Sequence, residues 1–336
     1  MRAAVVRAFG AIEGMAVADM PRPTPGPGEV LVTVRATPVN YVDLYVVGGT
    51  YQFLPPLPFV PGKGPAGVVA ACGPGVGAWQ PGDRVLAMAE QGGYAEQAVA
   101  KADQCYRLPD AMGFTEAASM SLAYDTAWFA LRERARIAGG ETVLVLGASG
   151  AVGLAAIQLA KAMGARVLGA VSRPERAAGV TEAGADAVID LSVPNLRDAV
   201  RDQVKAANGG ALADIVIDPI GGDAFDAALR AMAWCGRLVV VGFAAGRIPS
   251  VKANYLLVKN IEISGLQISD YRKRRPERAA ECFRELFQLF DAGKLHPPST
   301  LELSLDRAAE GLAMLRDRAT GGRRVVVVPL PGEARA

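Results

Sequence analysis

Three glycines, Gly147, Gly150 and Gly153, lie where a chain could hold a phosphate. The apolar run Val143-Leu144-Val145-Leu146 before them reads as a buried strand, and Leu154-Ala155-Ala156-Ile157-Gln158-Leu159-Ala160-Lys161 after them as a helix. A tight turn between the two aims the helix N-terminus, with its unpaired N–H groups and positive dipole end, at an anion. In G-x-G-x-x-G register Ala148 takes the first glycine position, and Gly150 and Gly153 take the others. Gly150 then lets the backbone approach a pyrophosphate, and Gly153 lets the helix pack closely on the strand. Ser149, Gly150, Ala151, Val152 and Gly153 are therefore candidate dinucleotide-binding residues, since strand, turn and helix together give the motif its context.

The residues downstream of the loop select the dinucleotide. A second strand, Ala165–Val171, arrives where a βαβ unit needs it and ends at Ser172-Arg173. A site for NAD carries an acidic residue there, which accepts from the free ribose hydroxyl. Ser172, Arg173 and Arg176 instead offer hydroxyl and guanidinium donors to a 2′-phosphate, so the expected cofactor is NADPH. The competing reading is a solvated basic turn, because Arg173-Pro174-Glu175-Arg176 also makes an ordinary helix start.

Metal chemistry lacks ligands in this sequence. Cys72, Cys105, Cys235 and Cys282 are widely spaced, form no C-x-x-C pair and read as reduced, mostly buried thiols. The single histidine, His296, sits in Lys294-Leu295-His296-Pro297-Pro298 and reads as a loop residue. Zinc needs a cluster of Cys, His or carboxylate groups, so no metal is expected. Lys and Arg total 36 against 34 acidic residues, and a net charge of +2 predicts no general affinity for nucleic acid or anionic membrane. No apolar run approaches membrane-spanning length, and Arg2 and Arg7 interrupt the N-terminus too early for a signal-peptide core. A cytoplasmic protein is the expectation.

These residues need elements to position them, and 336 residues suffice for two domains. Residues 1 to about 120 read mainly as strands between turns, among them Val30–Ala36, Gly67–Ala71 and Asp83–Ala87. Thr115 with Glu116 behind it predicts a helix N-terminus, and the alanine-rich run predicts helix through about Ala138. Strand and helix then alternate. Strands are expected at Val143–Leu146, Val167–Val171, Ala187–Asp190, Ile215–Asp218, Arg237–Val241 and Ile261–Gly265, and helices at Leu154–Met163, Pro174–Ala183, Asn195–Ala206 and Ala224–Met232. Such alternation implies a parallel sheet with helices on both faces. A helix starting at Pro276 buries Phe283, Leu286, Phe287 and Phe290, and Val325–Val328 reads as a closing buried strand of the β-rich domain.

Several stretches carry a resemblance: Val39-Asn40-Tyr41-Val42-Asp43, Pro58-Phe59-Val60-Pro61-Gly62, Gly92-Gly93-Tyr94-Ala95-Glu96 and the Gly147–Gly153 loop. Gly184-Ala185-Asp186-Ala187-Val188-Ile189-Asp190, Asp218-Pro219-Ile220-Gly221-Gly222 and Val241-Gly242-Phe243-Ala244-Ala245-Gly246 continue it. In this order they resemble the medium-chain dehydrogenase/reductase superfamily, in its zinc-free quinone oxidoreductase (zeta-crystallin-like) branch. The resemblance implies an α/β protein: a GroES-like β-rich catalytic domain, residues 1–120 and 266–336, and a Rossmann doubly wound parallel-sheet domain, residues 121–265. It further implies a cofactor in the cleft between them, Gly242 and Phe243 at that cofactor, and a homodimer. Where zinc-dependent relatives keep a cysteine and a His-Glu pair, this chain has Val39-Asn40 and Lys63-Gly64.

Without a Lewis acid, the simplest chemistry is hydride transfer from nicotinamide to an acceptor that is already electrophilic, a quinone or enone. The protein then supplies orientation, exclusion of water and a hydrogen-bond donor. Asn40 is the first candidate, because the resemblance places this residue at the nicotinamide end, and Thr126 matches another such position. Tyr41, Tyr45 and Tyr51 are candidates for shaping the acceptor site or donating a proton, each with packing as the alternative. Asp43 is read as orienting local backbone. Two departures stand out: Leu191 replaces a common aromatic, and Lys63-Gly64-Pro65 replaces an acidic pattern, either as a re-formed turn or as an altered site wall. An enoyl or alkenal reductase, including one acting on acyl thioesters, is the alternative activity. An NADPH-binding structural or RNA-binding protein is the other class. The basic run Arg272-Lys273-Arg274-Arg275 reads as a solvated helix-entry turn, and nucleic-acid binding is not expected.

Overall fold

The computed structural model describes residues 1–329, so residues 330–336 of the expected closing segment lie outside the described residues. The described chain forms two compact units. The first comprises Met1–Leu122, Tyr271–Phe287 and the described chain from Pro297 onward; the second comprises Ala123–Asp270 and Gln288–His296. Residues 288–296 thus group with the second unit, although the resemblance implies 266–336 whole in the first. The reason is local: the Gln158 amide donates to the His296 carbonyl at 2.9 Å and accepts from the His296 N–H at 2.8 Å.

In the first unit the strand Glu29–Pro38 is the axis. It pairs antiparallel with Ala66–Cys72, Gln97–Lys101 and Arg324–Val328, and the last of these runs parallel to Thr300–Ser304. Val30, Val32, Val69, Val85 and Ala100 fill one core, while Val46, Phe59, Tyr94, Leu312 and Val327 fill another. The expected long helix from Thr115 is broken. It begins at Phe114, with the Glu116 carboxylate accepting from the Gly113 N–H at 2.8 Å, and ends at Met120. Leu122 then takes a left-handed φ of 55°, which a right-handed helix cannot contain, and the chain enters the second unit. A new helix runs Ala123–Trp128 and widens into a π-helix over Phe129–Arg134.

The second unit is a six-stranded parallel sheet. Its strands, in chain order, are Thr142–Val145, Arg166–Val171, Ala187–Asp190, Ala213–Asp218, Met232–Val240 and Glu262–Gly265. Their spatial order is third, second, first, fourth, fifth, sixth, which puts the reversal between the first and fourth strands. In open α/β sheets that reversal opens a crevice at the carboxyl ends of the strands. Apolar residues bury the sheet on both faces: Leu144, Leu168, Val216 and Leu238 stand in register on one, and Val145, Ile217 and Val239 on the other.

Two further expectations meet corrections, and one helix carries no sequence signal. The fifth strand starts at Met232 rather than Arg237, because a bulge holds Cys235 at φ 60° and leaves that thiol exposed while Cys105 and Cys282 are buried. Ala253–Lys259 is a helix that carries no apolar periodicity, since it buries no residue. The basic run is a solvated turn only in part: Lys273, Arg274 and Arg275 are exposed, but the run ends the helix Ile268–Arg274, and Arg272 is only 2% exposed with a Glu90 carboxylate 3.7 Å away. Among the described residues no helix is long and apolar enough to cross a membrane.

Candidate functional site

The glycine loop of the second unit grows out of a fully buried strand. After Val145 the Leu146 N–H donates to the Ile217 carbonyl, and Gly147 turns the chain at φ 58°. Ala148 can therefore occupy the first glycine position of the motif: the left-handed turn falls one residue earlier. A Cβ at Gly147 would lie 2.8 Å from the Ile220 side chain, and one at Gly153 only 2.4 Å from the Gly147 carbonyl oxygen. Gly153 is thus where helix and loop touch, and any side chain there pushes them apart. The helix Ala151–Ala162 starts from Gly150 with no side-chain cap, and its first internal bond is Leu154 N–H to Gly150 O. The N–H groups of its first turn remain available to an anion beside the exposed Ser149 and Gly150.

The second strand is locked to this loop by the Ala148 N–H, which donates to the Ala170 carbonyl at 3.0 Å. Two residues further on stand exposed Ser172 and Arg173, followed by half-buried Arg176 in the turn Pro174–Arg176. Neither arginine makes an ion pair among the described residues. The fourth strand ends at Asp218, which is fully buried and accepts from the N–H groups of Ile220 at 2.9 Å and Gly221 at 2.8 Å. Burial raises its pKa. Its carbonyl receives the N–H of Gly242 at 3.3 Å, which fixes Gly242 and the part-exposed Phe243 beside the Pro219–Gly221 turn. Thr126 is buried on the helix Ala123–Trp128. The loop residues, Ser172, Arg173, Arg176, Gly242, Phe243 and Thr126 all belong to the second unit.

Asn40, Tyr41, Tyr45 and Tyr51 belong to the first. Asn40 opens the helix Tyr41–Val47, and its side chain is buried and engaged. Oδ1 accepts from Arg324 at 2.5 Å, Nδ2 donates to the Pro38 carbonyl, and the backbone N–H donates to Asp43 Oδ2 at 3.0 Å. Asp43 also accepts from the Tyr94 hydroxyl at 3.1 Å. Burial lifts the Asp43 carboxyl to about 6, against the opposing pull of the Asn40 N–H and the Lys63 and Arg324 charges. Burial likewise pushes the Tyr94 hydroxyl well up, helped by Asp43. Tyr41 and Tyr45 meet edge to face at 5.7 Å and are partly exposed; burial and Tyr41 raise the Tyr45 hydroxyl. Tyr51 meets Phe53 edge-on at 6.3 Å.

Arg324, Tyr94 and Asp218 escape the sequence-based candidates. Tyr94 and Asp218 do stand in motifs that carry the resemblance; Arg324 sits 284 residues from the Asn40 it holds. Among the described residues no group of three His, Cys, Asp or Glu side chains is placed to hold a metal ion.

Comparisons agree with this architecture. Residues 26–110 match the family model described as alcohol dehydrogenase GroES-like domain, and 151–288 the one described as zinc-binding dehydrogenase. The chain belongs to the medium-chain dehydrogenase/reductase superfamily, in its quinone oxidoreductase branch. It is 38% identical over 304 residues to a quinone oxidoreductase-like protein 2 homolog of Nematostella vectensis, covering 90% of this chain and 82% of that one. It is 34% identical over 312 residues to the quinone oxidoreductase of Homo sapiens, covering 92% of each. The structure of Escherichia coli quinone oxidoreductase complexed with NADPH superposes with a TM-score of 0.89 at 28% identity, over 98% of this chain and 100% of the other.

Proposed function

We propose that the protein is a zinc-independent, NADPH-dependent oxidoreductase that reduces quinones or related conjugated carbonyls. The observation that carries this reading is the uncapped helix start at Gly150, cradled by Gly147 and Gly153 and tied through Ala148 to the strand that ends at Ser172-Arg173. Backbone N–H groups of residues 151–153 would hold the pyrophosphate, with Ser149 and Gly150 letting it approach, and Ser172, Arg173 and Arg176 the 2′-phosphate. Gly242, Phe243 and Thr126 complete the cofactor side. When bound, the reduced nicotinamide supplies a hydride. Asn40 offers its second amide hydrogen, and Tyr41, Tyr45 and Tyr51 offer hydroxyls. The raised Tyr45 hydroxyl stays protonated at neutral pH, which suits a donor and not a base. Zinc independence is supported by Asn40 and Lys63 standing where zinc-dependent relatives keep metal ligands.

A homodimer completes the reading. Among the described residues the sixth strand, Glu262–Gly265, pairs on one side only, and the helix Ala253–Lys259, which contacts the fifth strand, leaves Leu257 79% and Val258 74% exposed. An exposed apolar helix and a one-sided strand are the kind of surface a second copy covers. An acceptor panel run with NADPH and NADH at equal concentration tests the activity. Rapid NADPH oxidation with quinones or enones is expected. Equal rates with both cofactors would defeat the roles of Ser172 and Arg173, and no turnover with any acceptor would defeat the enzyme itself.

A further inference from the structure

The turn Gly62-Lys63-Gly64 is built to drive one ammonium inward. Gly62 and Gly64 stand at φ 95° and 68°; a Cβ would lie 2.6 Å from the Tyr94 ring at the first and 2.2 Å from Ser121 Oγ at the second. Lys63 between them is only 7% exposed. An ammonium has three N–H donors. Glu90 Oε2 accepts one at 2.5 Å, and no other protein group among the described residues accepts the remainder. Burying an ammonium whose donors protein groups do not satisfy is costly, and a site that binds an anion is where such a cost is kept.

The surroundings point the same way. The Tyr51 ring lies 5.7 Å from the Lys63 ammonium, and Tyr51 meets Phe53, which is 56% exposed and has the Lys273 ammonium 5.6 Å from its own ring. An aromatic pair thus reaches solvent with a cation at each ring. Glu90 is itself shared with Arg272 at 3.7 Å, and Asp43 feels both Lys63 and Arg324. Lys63 and Arg324 thus act on the Asp43 carboxylate, Lys63 and Arg272 on that of Glu90, and Lys273 stands at the Phe53 ring. The locality is electropositive and flat-faced.

We propose that Lys63 is a specificity-determining residue: its ammonium receives the carboxylate of a flat conjugated acid whose unsaturated part lies against Tyr51 and Phe53. The proposal rests on the oxidoreductase reading above and narrows its acceptors to acidic ones. A neutral acceptor would leave the buried donors unmatched, whereas a carboxylate makes charge-assisted bonds with them. Lys273 adds long-range attraction at the exposed end.

Binding to the full chain without cofactor tests this apart from turnover. The probes are 2-naphthoate and its methyl ester, titrated calorimetrically. Naphthoate is expected to bind about tenfold more tightly than the ester. Lys63→Met should erase that preference and leave ester affinity unchanged, and Lys63→Arg should keep part of it. Phe53→Ala, at an exposed position, should weaken both probes and serves where Lys63→Met does not fold. Equal binding of the two probes to the unmodified protein, binding of neither, a preference that survives in Lys63→Met, or probe affinities unmoved by Phe53→Ala each overturn the proposal. A protein that binds naphthoate as expected but oxidises NADPH with no acceptor would instead remove the oxidoreductase reading and leave the anion site standing.

Discussion

Asp43 holds two structural tasks on one carboxylate, the first turn of its helix and the Tyr94 hydroxyl, in a place without solvent. Its proton binds up to about pH 6 in the folded chain, against a usual value of 3.8. Between those values the folded state holds more protons than the unfolded, so stability falls as pH rises, by on the order of 3 kcal/mol, and levels off above pH 6. Asp43→Asn keeps an oxygen for the Asn40 N–H and can donate to the Tyr94 oxygen. Denaturant unfolding at pH 4.5, 5.5 and 7 should therefore show a smaller loss in the variant; equal losses would assign that pH dependence to other groups. At the second unit's loop, Arg173→Glu should weaken NADPH by about tenfold or more and leave NADH nearly unchanged. Nicotinamide fluorescence titration reads both, and parallel losses would reduce Arg173 to a solvated surface charge.

Elements differ in how plainly the sequence announces them. The glycine loop is legible because its flanking strands are buried on both faces, which leaves uninterrupted apolar runs such as Val143–Leu146. The helix Ala253–Lys259 is not, since nothing in it is buried and no periodicity marks it. The break at Leu122 is equally hidden: alanine-rich sequence predicts helix, and a left-handed leucine is set by tertiary packing. In the candidate site, the cradle follows from local spacing, whereas Asn40–Arg324 and Lys63–Glu90 are long-range pairs without a sequence signature. Gly153→Val must displace the loop that a Cβ already meets at 2.4 Å, so cofactor affinity should fall while the fold persists, as circular dichroism with a binding titration would show. Lys259 donates to the carbonyls of Leu229 at 3.0 Å, Arg230 at 3.4 Å and Met232 at 2.7 Å, closing the end of the helix Gly222–Ala231. Lys259→Met should cost about 1–2 kcal/mol of unfolding free energy. No change in the denaturation midpoint would mean that solvent replaces the ammonium without loss.

For the whole molecule, self-association is the property most exposed to test. The double substitution Leu257→Asp with Val258→Asp places two charges on the exposed apolar part of the helix Ala253–Lys259. Sedimentation velocity should show the unsubstituted chain as a dimer and the variant shifted toward monomer. A variant that sediments like the original would locate the contact elsewhere. The two compact units also differ in how sequence builds them: the second is nearly one continuous segment, Ala123–Asp270, while the first is stitched from three. Local patterning therefore reveals the second unit readily; in the first it finds single strands such as Val30–Ala36 and Gly67–Ala71 but not how the three segments join.

That closing strand, Arg324–Val328, gives the first unit a schedule. Arg324 reaches back 284 residues to fix the Asn40 side chain and the Val39 carbonyl. A ribosome needs on the order of half a minute to travel from one residue to the other. Through that interval the second unit can already have emerged and folded, while Asn40 waits for the strand that pairs with the end of Glu29–Pro38. The surroundings of Asn40 are thus completed only after the whole second unit has been synthesised.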